Sequence, residues 1–409
     1  MRTTLTEPST PRRAALVFIF VTVVLDMLAL GMIVPVLPHL VVHFLGGDTA
    51  RAAAIYGLFG TVWALMQLLF SPVLGALSDR YGRRPVILVS NFGLGLDYVL
   101  MALAPTLAWL FVGRMISGIT AASFATAGAY IADVAPPEKR AAGFGMLGAA
   151  FGLGFVLGPA LGGVLGAVGP RLPFWVAAGL SLLNAMYGLF VLPESLPRDR
   201  RAAFAWRRAN PIGSLALLRS HPELVGLGTV TFLRSLAHAA LPSTFVLYAG
   251  YRYGWDERTV GLTLAGMGVC GMVVSGGLVG PTVTRFGERA VLIAGLLFGT
   301  AGFAVYGLAA TGTGALLGIP LQALWGLSTP AAQGLMTRRV KPTEQGQLQG
   351  AQSSLMGIAG LIGPILFTLT FATFIGTRSE WHLPGAPFLL AALLLAAAVV
   401  LAWRVTRSR

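Results

Sequence analysis

Apolar runs of roughly 18–25 residues recur along the whole of this chain, each long enough to carry a helix across a bilayer. A soluble fold cannot hide that much apolar surface. Hydrophobic residues make up 56% of the sequence and charged residues 11%, whereas a soluble domain carries about 25% charged residues. The solvent for most of this chain is therefore lipid. The single cysteine, Cys270, excludes an internal disulfide and most cysteine-based metal sites. It lies in an apolar run and reads as a small packing residue.

The start has the look of a secretion signal, because Arg2, Arg12 and Arg13 precede an apolar stretch from Ala14. That stretch is too long, contains Asp26, Pro35 and Pro38, and lacks a small-residue cleavage site. It reads as a retained first helix. Twelve spans follow at 14–40, 53–77, 85–104, 107–132, 143–165, 172–192, 223–250, 259–283, 290–310, 314–336, 348–374 and 386–403. The connections are short except for 193–222.

The net charge of +14 does not point to nucleic acid, because the basic residues form no single patch. With both termini on the cytoplasmic side, 22 of the 29 Lys and Arg fall in cytoplasmic segments. The outer loops hold five: Arg51, Arg171, Arg252, Arg258 and Arg378. Arg114 and Arg234 lie within spans. This excess obeys the positive-inside rule and sets the orientation; an odd number of spans would break the alternation.

A fixed offset of 205 residues relates the two halves. The run Gly75-Ala-Leu-Ser-Asp-Arg-Tyr-Gly-Arg-Arg-Pro-Val after span two has a copy, Gly280-Pro-Thr-Val-Thr-Arg-Phe-Gly-Glu-Arg-Ala-Val, after span eight. Gly158-Pro159 in span five meets Gly363-Pro364 in span eleven, and Gly145 and Gly152 meet Gly350 and Gly357. A duplicated six-helix bundle follows, a design that places a binding site between the halves. The expected organisation is a bundle over 1–195, a basic linker over 196–222 and a bundle over 223–409. The linker carries Arg198, Arg200, Arg201, Arg207 and Arg208, read as a solvated loop or as a contact to anionic lipid.

These motifs resemble the major facilitator superfamily. Gly75 to Arg84 matches its signature loop, Gly154-Phe-Val-Leu-Gly158-Pro159-Ala-Leu-Gly162-Gly163 matches its antiporter motif, and Arg114 with Gly118 resembles its helix-four arginine motif. Leu25-Asp26 through Pro38, Ser90 to Ala102 with Leu96-Asp97-Tyr98, and Pro330-Ala-Ala-Gln333-Gly334 resemble the tetracycline efflux family over nearly the whole chain. The resemblance implies an all-α membrane protein of twelve transmembrane helices in two pseudo-symmetric bundles. It further implies a proton-coupled antiporter that exports an amphipathic drug such as tetracycline by alternating access. One departure stands out. The family's helix-nine aspartate and helix-eight histidine are replaced here by Gly299 and Gly271, and every acid after Glu223 lies in a loop.

Ionisable groups within a membrane each cost roughly 2.5–3.5 kcal/mol at the helix centre and need a partner or a wet cavity. Asp26 lies about 18 Å into span one at 1.5 Å per residue, near the midplane. It reads as a coupling or cation-binding acid, or as an aspartate bonded to backbone beside Pro35 and Pro38. Asp97 and Arg114 are equidistant from the turn near Ala104–Thr106 and so share one depth on neighbouring helices. An ion pair fits that placement, either structural or a device that holds the proton off Asp97 or Asp26 until substrate binds. Arg234 and His238, spaced i, i+4, share a face and suit an anionic substrate group, or leave His238 as a packed core residue. Gln67, Asn91, Gln322 and Gln333 are uncharged polar groups at membrane depth, read as cavity residues or as interhelical hydrogen bonds.

In the loop, Gly75 and Gly82 suit a tight turn. The resemblance implies that Asp79 docks on the start of helix eleven and that Arg83 pairs with Asp133, with Arg80 and Arg84 in the same motif. The second-half copy has Thr284 and Glu288 at the Asp79 and Arg83 positions, so this lock is expected to be asymmetric. In span five, Gly154, Gly158, Gly162 and Gly163 allow close helix contact, and Pro159 permits a bend. No nucleotide-binding loop, nucleophile–base set or metal cluster appears, so neither an enzyme nor a resident cofactor is expected. Protons are the coupling ion, and a divalent cation travels with substrate in the tetracycline case. The expected partners are a small molecule and the lipid of a bacterial inner membrane, with no nucleic acid and a monomeric protein. The alternative reading is a carrier of an endogenous, anionic metabolite or a multidrug exporter of different range.

Overall fold

The structure, a computed structural model, describes residues 10–120, 123–135, 140–201, 217, 222–341, 344–376 and 381–407. These are almost entirely helical, with no strand among the described residues. The first half holds α1 (Thr10–Ile33), α2 (Leu37–Phe44), α3 (Thr49–Tyr81), α4 (Arg83–Leu103), α5 (Leu107–Thr120), α6 (Ser123–Val134), α7 (Arg140–Val168) and α8 (Leu172–Val191). The second holds α9 (Pro222–His238), α10 (Ala240–Tyr253), α11 (Glu257–Val273), α12 (Val279–Leu308), α13 (Gly312–Leu316), α14 (Gly318–Trp325), α15 (Ser328–Thr337), α16 (Gln345–Ile375) and α17 (Ala386–Arg407).

These helices make the twelve expected spans. Some spans are single helices, such as α3, α4, α8 and α17. Others are broken: span one is α1 with α2, interrupted before Pro38, and span seven is α9 with α10. Spans eight and nine run on as one stretch through a π-helical turn at Val274–Leu278, and the chain reverses at Gly287, whose φ of 76° is a left-handed conformation that glycine adopts freely. Nine stretches of the described residues are long and apolar enough to cross a membrane, and the stretch Glu257–Leu308 among them is 52 residues long, enough for two crossings. Large apolar side chains such as Phe190 (79% exposed) and Val89 (70%) face outward, as a lipid-facing surface requires.

The helix boundaries depart from the sequence expectation at one functional place. The turn between spans two and three is not a loop from 75 to 84. Helix α3 continues to Tyr81 and α4 begins at Arg83, so Gly82 alone makes the turn, with φ at 109°. Gly75 lies inside α3, where its carbonyl accepts the Ser78 hydroxyl at 2.7 Å.

The chain packs as two compact units. The first comprises the described residues within Met1–Ile33, Met66–Leu161 and Arg171–Asn210. Here α8 lies against α1 and α4, and α4 against α5 and α6, around a core that includes Phe18, Ile19, Ile87, Tyr130 and Leu147. The second comprises those within Val34–Leu65, Gly162–Pro170 and Pro211–Arg409. Its core is aromatic: Tyr248 packs edge-on to Phe388 at 4.9 Å, and its hydroxyl donates to the Tyr306 carbonyl at 2.6 Å. Asp256 caps α11 by accepting the Thr259 amide at 2.9 Å, which holds its carboxyl below the usual carboxylate range.

The second unit also takes in parts of spans one, two and five. The Thr61 hydroxyl donates to the Leu361 carbonyl at 3.1 Å, and His39 Nδ1 lies 3.3 Å from Glu257 Oε1. Gly163 sits on the backbone of Arg258 and Gly261. Most of the expected linker, including Arg207 and Arg208, lies outside the described residues.

Candidate functional site

The first unit gathers the membrane acids. Asp26 and Asp97 are buried, at 4% and 1% exposure. Asp26 is held from α8, where Asn184 Nδ2 donates to its Oδ1 at 3.0 Å and to the Thr22 carbonyl at 3.2 Å. Asp97 is placed differently. A Cβ on Gly113 would lie 3.0 Å from Asp97 Oδ1, so the carboxylate occupies the space that a glycine leaves in α5. Neither of its oxygens has a hydrogen-bond partner. The ion pair expected between Asp97 and Arg114 is therefore not a direct contact, although the Arg114 charge acts on Asp97. The charges of Asp97, Arg114 and Asp26 all act on the buried Tyr98, which brings the three residues into one electrostatic neighbourhood. Asn91 is buried on α4 with its Oδ1 unpartnered, and Gln67 is half-buried on α3.

The antiporter-motif glycines act on the same helix as Asp26. Cβ atoms on Gly154 and Gly158 would strike α1 at Met27, Leu28 and Gly31, the turn that follows Asp26. Glycine lets α7 approach the α1 backbone there, and any larger residue would push α1 away. Helix α7 runs unbroken through Pro159, whose Cδ lies against Gly31. Gly162 is buried. In the second half, a Cβ on Gly363 would meet Ala239 and Leu236, and Leu236 stands 205 residues after Gly31. The same helix contact thus recurs at the same offset.

The second unit gathers the remaining polar groups around α14 and α15. Arg234 Nη1 donates to the Thr329 hydroxyl at 2.7 Å, and its Nε is buried and unpartnered. His238 lies 5.7 Å from the Trp325 ring. Gln322 has both side-chain polar atoms buried without partners and sits against Gly302. Gln333 is exposed on α15 and takes no part in these bonds. The position of the expected helix-nine acid, Gly299, is sealed. A Cβ there would lie 2.6 Å from the Trp325 ring and 2.9 Å from Leu395. A tryptophan fills the space that a carboxylate would need. Gly271 has no such obstruction.

At the Gly82 turn, Arg83 is the hub. Its Nε donates to Asp133 Oδ2 at 3.0 Å, and its Nη1 reaches Asp79 Oδ1 and Ser78 Oγ at 2.6 Å each. Glu194, just past α8, accepts the amides of Arg83 and Arg84 at 2.8 and 3.3 Å, so it caps α4 from a segment distant in sequence. Arg84 donates to the Leu189 carbonyl at 2.6 Å, and Arg80 rests over the Tyr81 ring. The copy of this turn in the second half keeps an ion pair that its sequence hid. Glu288, at the Arg83 position, meets Arg338 at 3.1 Å, and Arg338 is 205 residues after Asp133. The pair is retained with its charges exchanged.

Sequence reasoning missed Asn184, Gly113, Glu194 and Arg338. Signals for two of them were present: Asn184 is a lone amide in the apolar run 172–192, and Arg338 lies at the repeat offset from a gate acid.

Comparison with known proteins agrees with this fold. The family model of the Major Facilitator Superfamily matches residues 19–328 and 230–409. The class C tetracycline resistance protein of Escherichia coli is 39% identical over 368 residues, which cover 90% of this chain and 91% of that protein. The class G protein of Vibrio anguillarum is 36% identical over 90% of this chain and 93% of its own length. Among solved structures, a bacterial homologue of the human lysosomal transporter Spinster, inward-facing and occupied, superposes with a TM-score of 0.79 at 17% identity, over 98% of both chains. The human organic anion transporter MFSD10 gives a TM-score of 0.71 at 24% identity, over 96% of this chain and 100% of that one. At these identities the two structures support the fold alone.

Proposed function

Because this chain belongs to the major facilitator superfamily, and within it to the family of the tetracycline resistance proteins, we propose that its two buried acids drive drug export in exchange for protons. The protein is a multi-pass membrane transporter, a proton-coupled antiporter of an amphipathic drug, and not an enzyme. One observation carries the assignment of the acids. Asp26 and Asp97 are both buried in one unit, on helices that each pack against α8. Burial makes the charged form of a carboxylate costly, so proton occupancy responds to the opening of a wet path. Asp26 and Asp97 bind and release the coupling proton, and Arg114 biases them towards release. In this reading the polar group of the second unit meets the substrate.

The charge asymmetry of the loops supports a reading with both termini in the cytoplasm of a bacterium and the Gly82 turn at the cytoplasmic face. The repeat supports six-helix halves over 1–195 and 223–409, joined by a basic linker. The monomer suffices for transport, and a divalent cation enters with tetracycline rather than residing in the protein.

The test is proton flux in inverted vesicles on adding tetracycline with Mg²⁺. Proton release on drug addition is expected. Asp26→Asn and Asp97→Asn should each lower uphill transport at least tenfold, a loss of about 1.4 kcal/mol or more in transition-state terms. Unchanged flux in both variants would remove this coupling scheme. The reading of an anionic cargo rests on Arg234, whose guanidinium is only partly bonded. Arg234→Gln should abolish export of an anion and spare a cationic drug.

A further inference from the structure

Helix α8 carries two small polar side chains in its apolar length, Ser181 and Asn184. Both lie on the stripe it turns toward α1 and α4. Gly188 of that stripe rests against Leu88 of α4 and Phe18 of α1, and Gly95 of α4 rests against Leu182. Asn184 is one turn from Gly188, and Ser181 is nearly one turn further. On α4, Leu88, Asn91, Gly95 and Tyr98 recur at three- and four-residue steps, so Asn91 shares the face turned to α8. A seam of buried polar groups thus runs between three apolar helices.

Within that seam Asn184 is fully buried and joined to Asp26 and to the Thr22 carbonyl. Its Oδ1 has no partner, nor do Thr22 Oγ1, Ser181 Oγ and Asn91 Oδ1. An unbonded buried polar atom costs about 1–3 kcal/mol, so this arrangement is a poor helix-to-helix glue. For glue, the bond to the Thr22 carbonyl would be enough. What the second bond adds is a partner for an acid that the coupling cycle must charge and discharge.

We propose that Asn184 is the positioning residue of the Asp26 carboxyl in both of its protonation states. An amide carries a donor and an acceptor at one end of a short side chain. Nδ2 donates to the carboxylate, as seen here. Once Asp26 takes up the coupling proton, its hydroxyl donates to Asn184 Oδ1, the atom now unpartnered. No bond other than O–H is made or broken, and the proton comes from the medium. The acid therefore keeps a partner through the cycle and stays in register with the α1–α7 contact one turn away. The inference rests on the reading of Asp26 as a coupling acid.

Other ionisable groups bear on any pH response. Asp97 and Tyr98 of α4, Arg114 of α5, Tyr130 and Asp133 of α6 and Tyr187 of α8 stand on the elements around this seam. Among the described side chains α7 adds none. The experiment therefore compares Asn184→Ala with Asn184→Ser, which keeps a donor and an acceptor, and uses Asp26→Asn as the reference. All are made in the full-length protein in inverted vesicles, at matched abundance by immunoblot. Uphill tetracycline–Mg²⁺ accumulation and substrate exchange at equal concentrations on both sides are measured from pH 5.5 to 8.5.

Asn184→Ala should lower uphill accumulation about tenfold and move its pH profile about one unit higher, because the charge-assisted bond lost from the carboxylate is about twice as strong as the neutral bond lost from the protonated acid. Exchange, which needs no net proton movement, should stay within about twofold, and Asn184→Ser should recover most of the loss. Adding Asn184→Ala to Asp26→Asn should have no further effect, as expected for coupled sites. An unshifted pH profile in Asn184→Ala, an equal loss of exchange and accumulation, or independent effects in the double variant would overturn the proposal. Wild-type accumulation in Asp26→Asn would instead sink the coupling role of Asp26 itself.

Discussion

The two helix reversals that follow spans two and eight stand 205 residues apart in the repeat and hold themselves together by opposite means. In the first, Arg83 is 11% exposed and binds Asp79, Ser78 and Asp133, while Glu194 caps the next helix. In the second, the half-buried acid Glu288 pairs with Arg338, which is 76% exposed. Glu288 rests on Gly334, where a Cβ would lie 2.5 Å from its carboxylate. Both turns use a left-handed glycine, at 82 and at 287. Duplication preserved the backbone and the existence of an ion pair, and left the sign of each charge free. An ion pair is symmetric under exchange, whereas a network is not: aspartate at 83 could not serve Asp79 and Asp133 at once.

The contrast is open to attack, first at its strongest point. Arg83→Ala strands two carboxylates together and should lower drug-driven transport in vesicles about tenfold or more, with exchange and accumulation falling alike. Next come the exchanges of sign. Glu288→Arg should lower transport about threefold by setting two arginines face to face, and Glu288→Arg/Arg338→Glu should return it to within about twofold. Arg83→Asp/Asp133→Arg should not recover, because Asp79 then faces a second acid. Recovery of both would make the two turns equivalent and end the comparison.

Smaller effects separate the glycines. Gly82→Ala meets the strain of a left-handed backbone and drives its Cβ into the Glu194 carboxylate; Gly287→Ala meets the strain alone. The expected cost is about 1 kcal/mol for Gly287→Ala and roughly twice that for Gly82→Ala. Thermal unfolding of the purified protein in detergent checks the order, and an equal loss would remove Glu194 from the argument. Smallest is Glu288→Gln. Exposed ion pairs contribute roughly 0–1 kcal/mol, so transport should fall less than twofold, and the difference should vanish in high salt.

The missing second-half acid has a comparable lesson. A family resemblance placed an acid in span nine, and the chain has Gly299 there. The sequence could show the vacancy and not what fills it. Trp325 comes from another helix, and its ring decides that no charge can be housed at that position.

Lipid as solvent, twelve crossings and a duplicated plan were legible in the residue order. Each is a property of runs, spacings and offsets along one dimension, and the bilayer converts linear distance into depth. Asn184 beneath Asp26, Gly113 beneath Asp97 and Arg338 opposite Glu288 were not legible. They depend on which face of one helix meets which face of another, and that is settled by side-chain packing between segments up to 158 residues apart. Spacing tells how deep a group lies; only helices brought together in three dimensions decide what it touches.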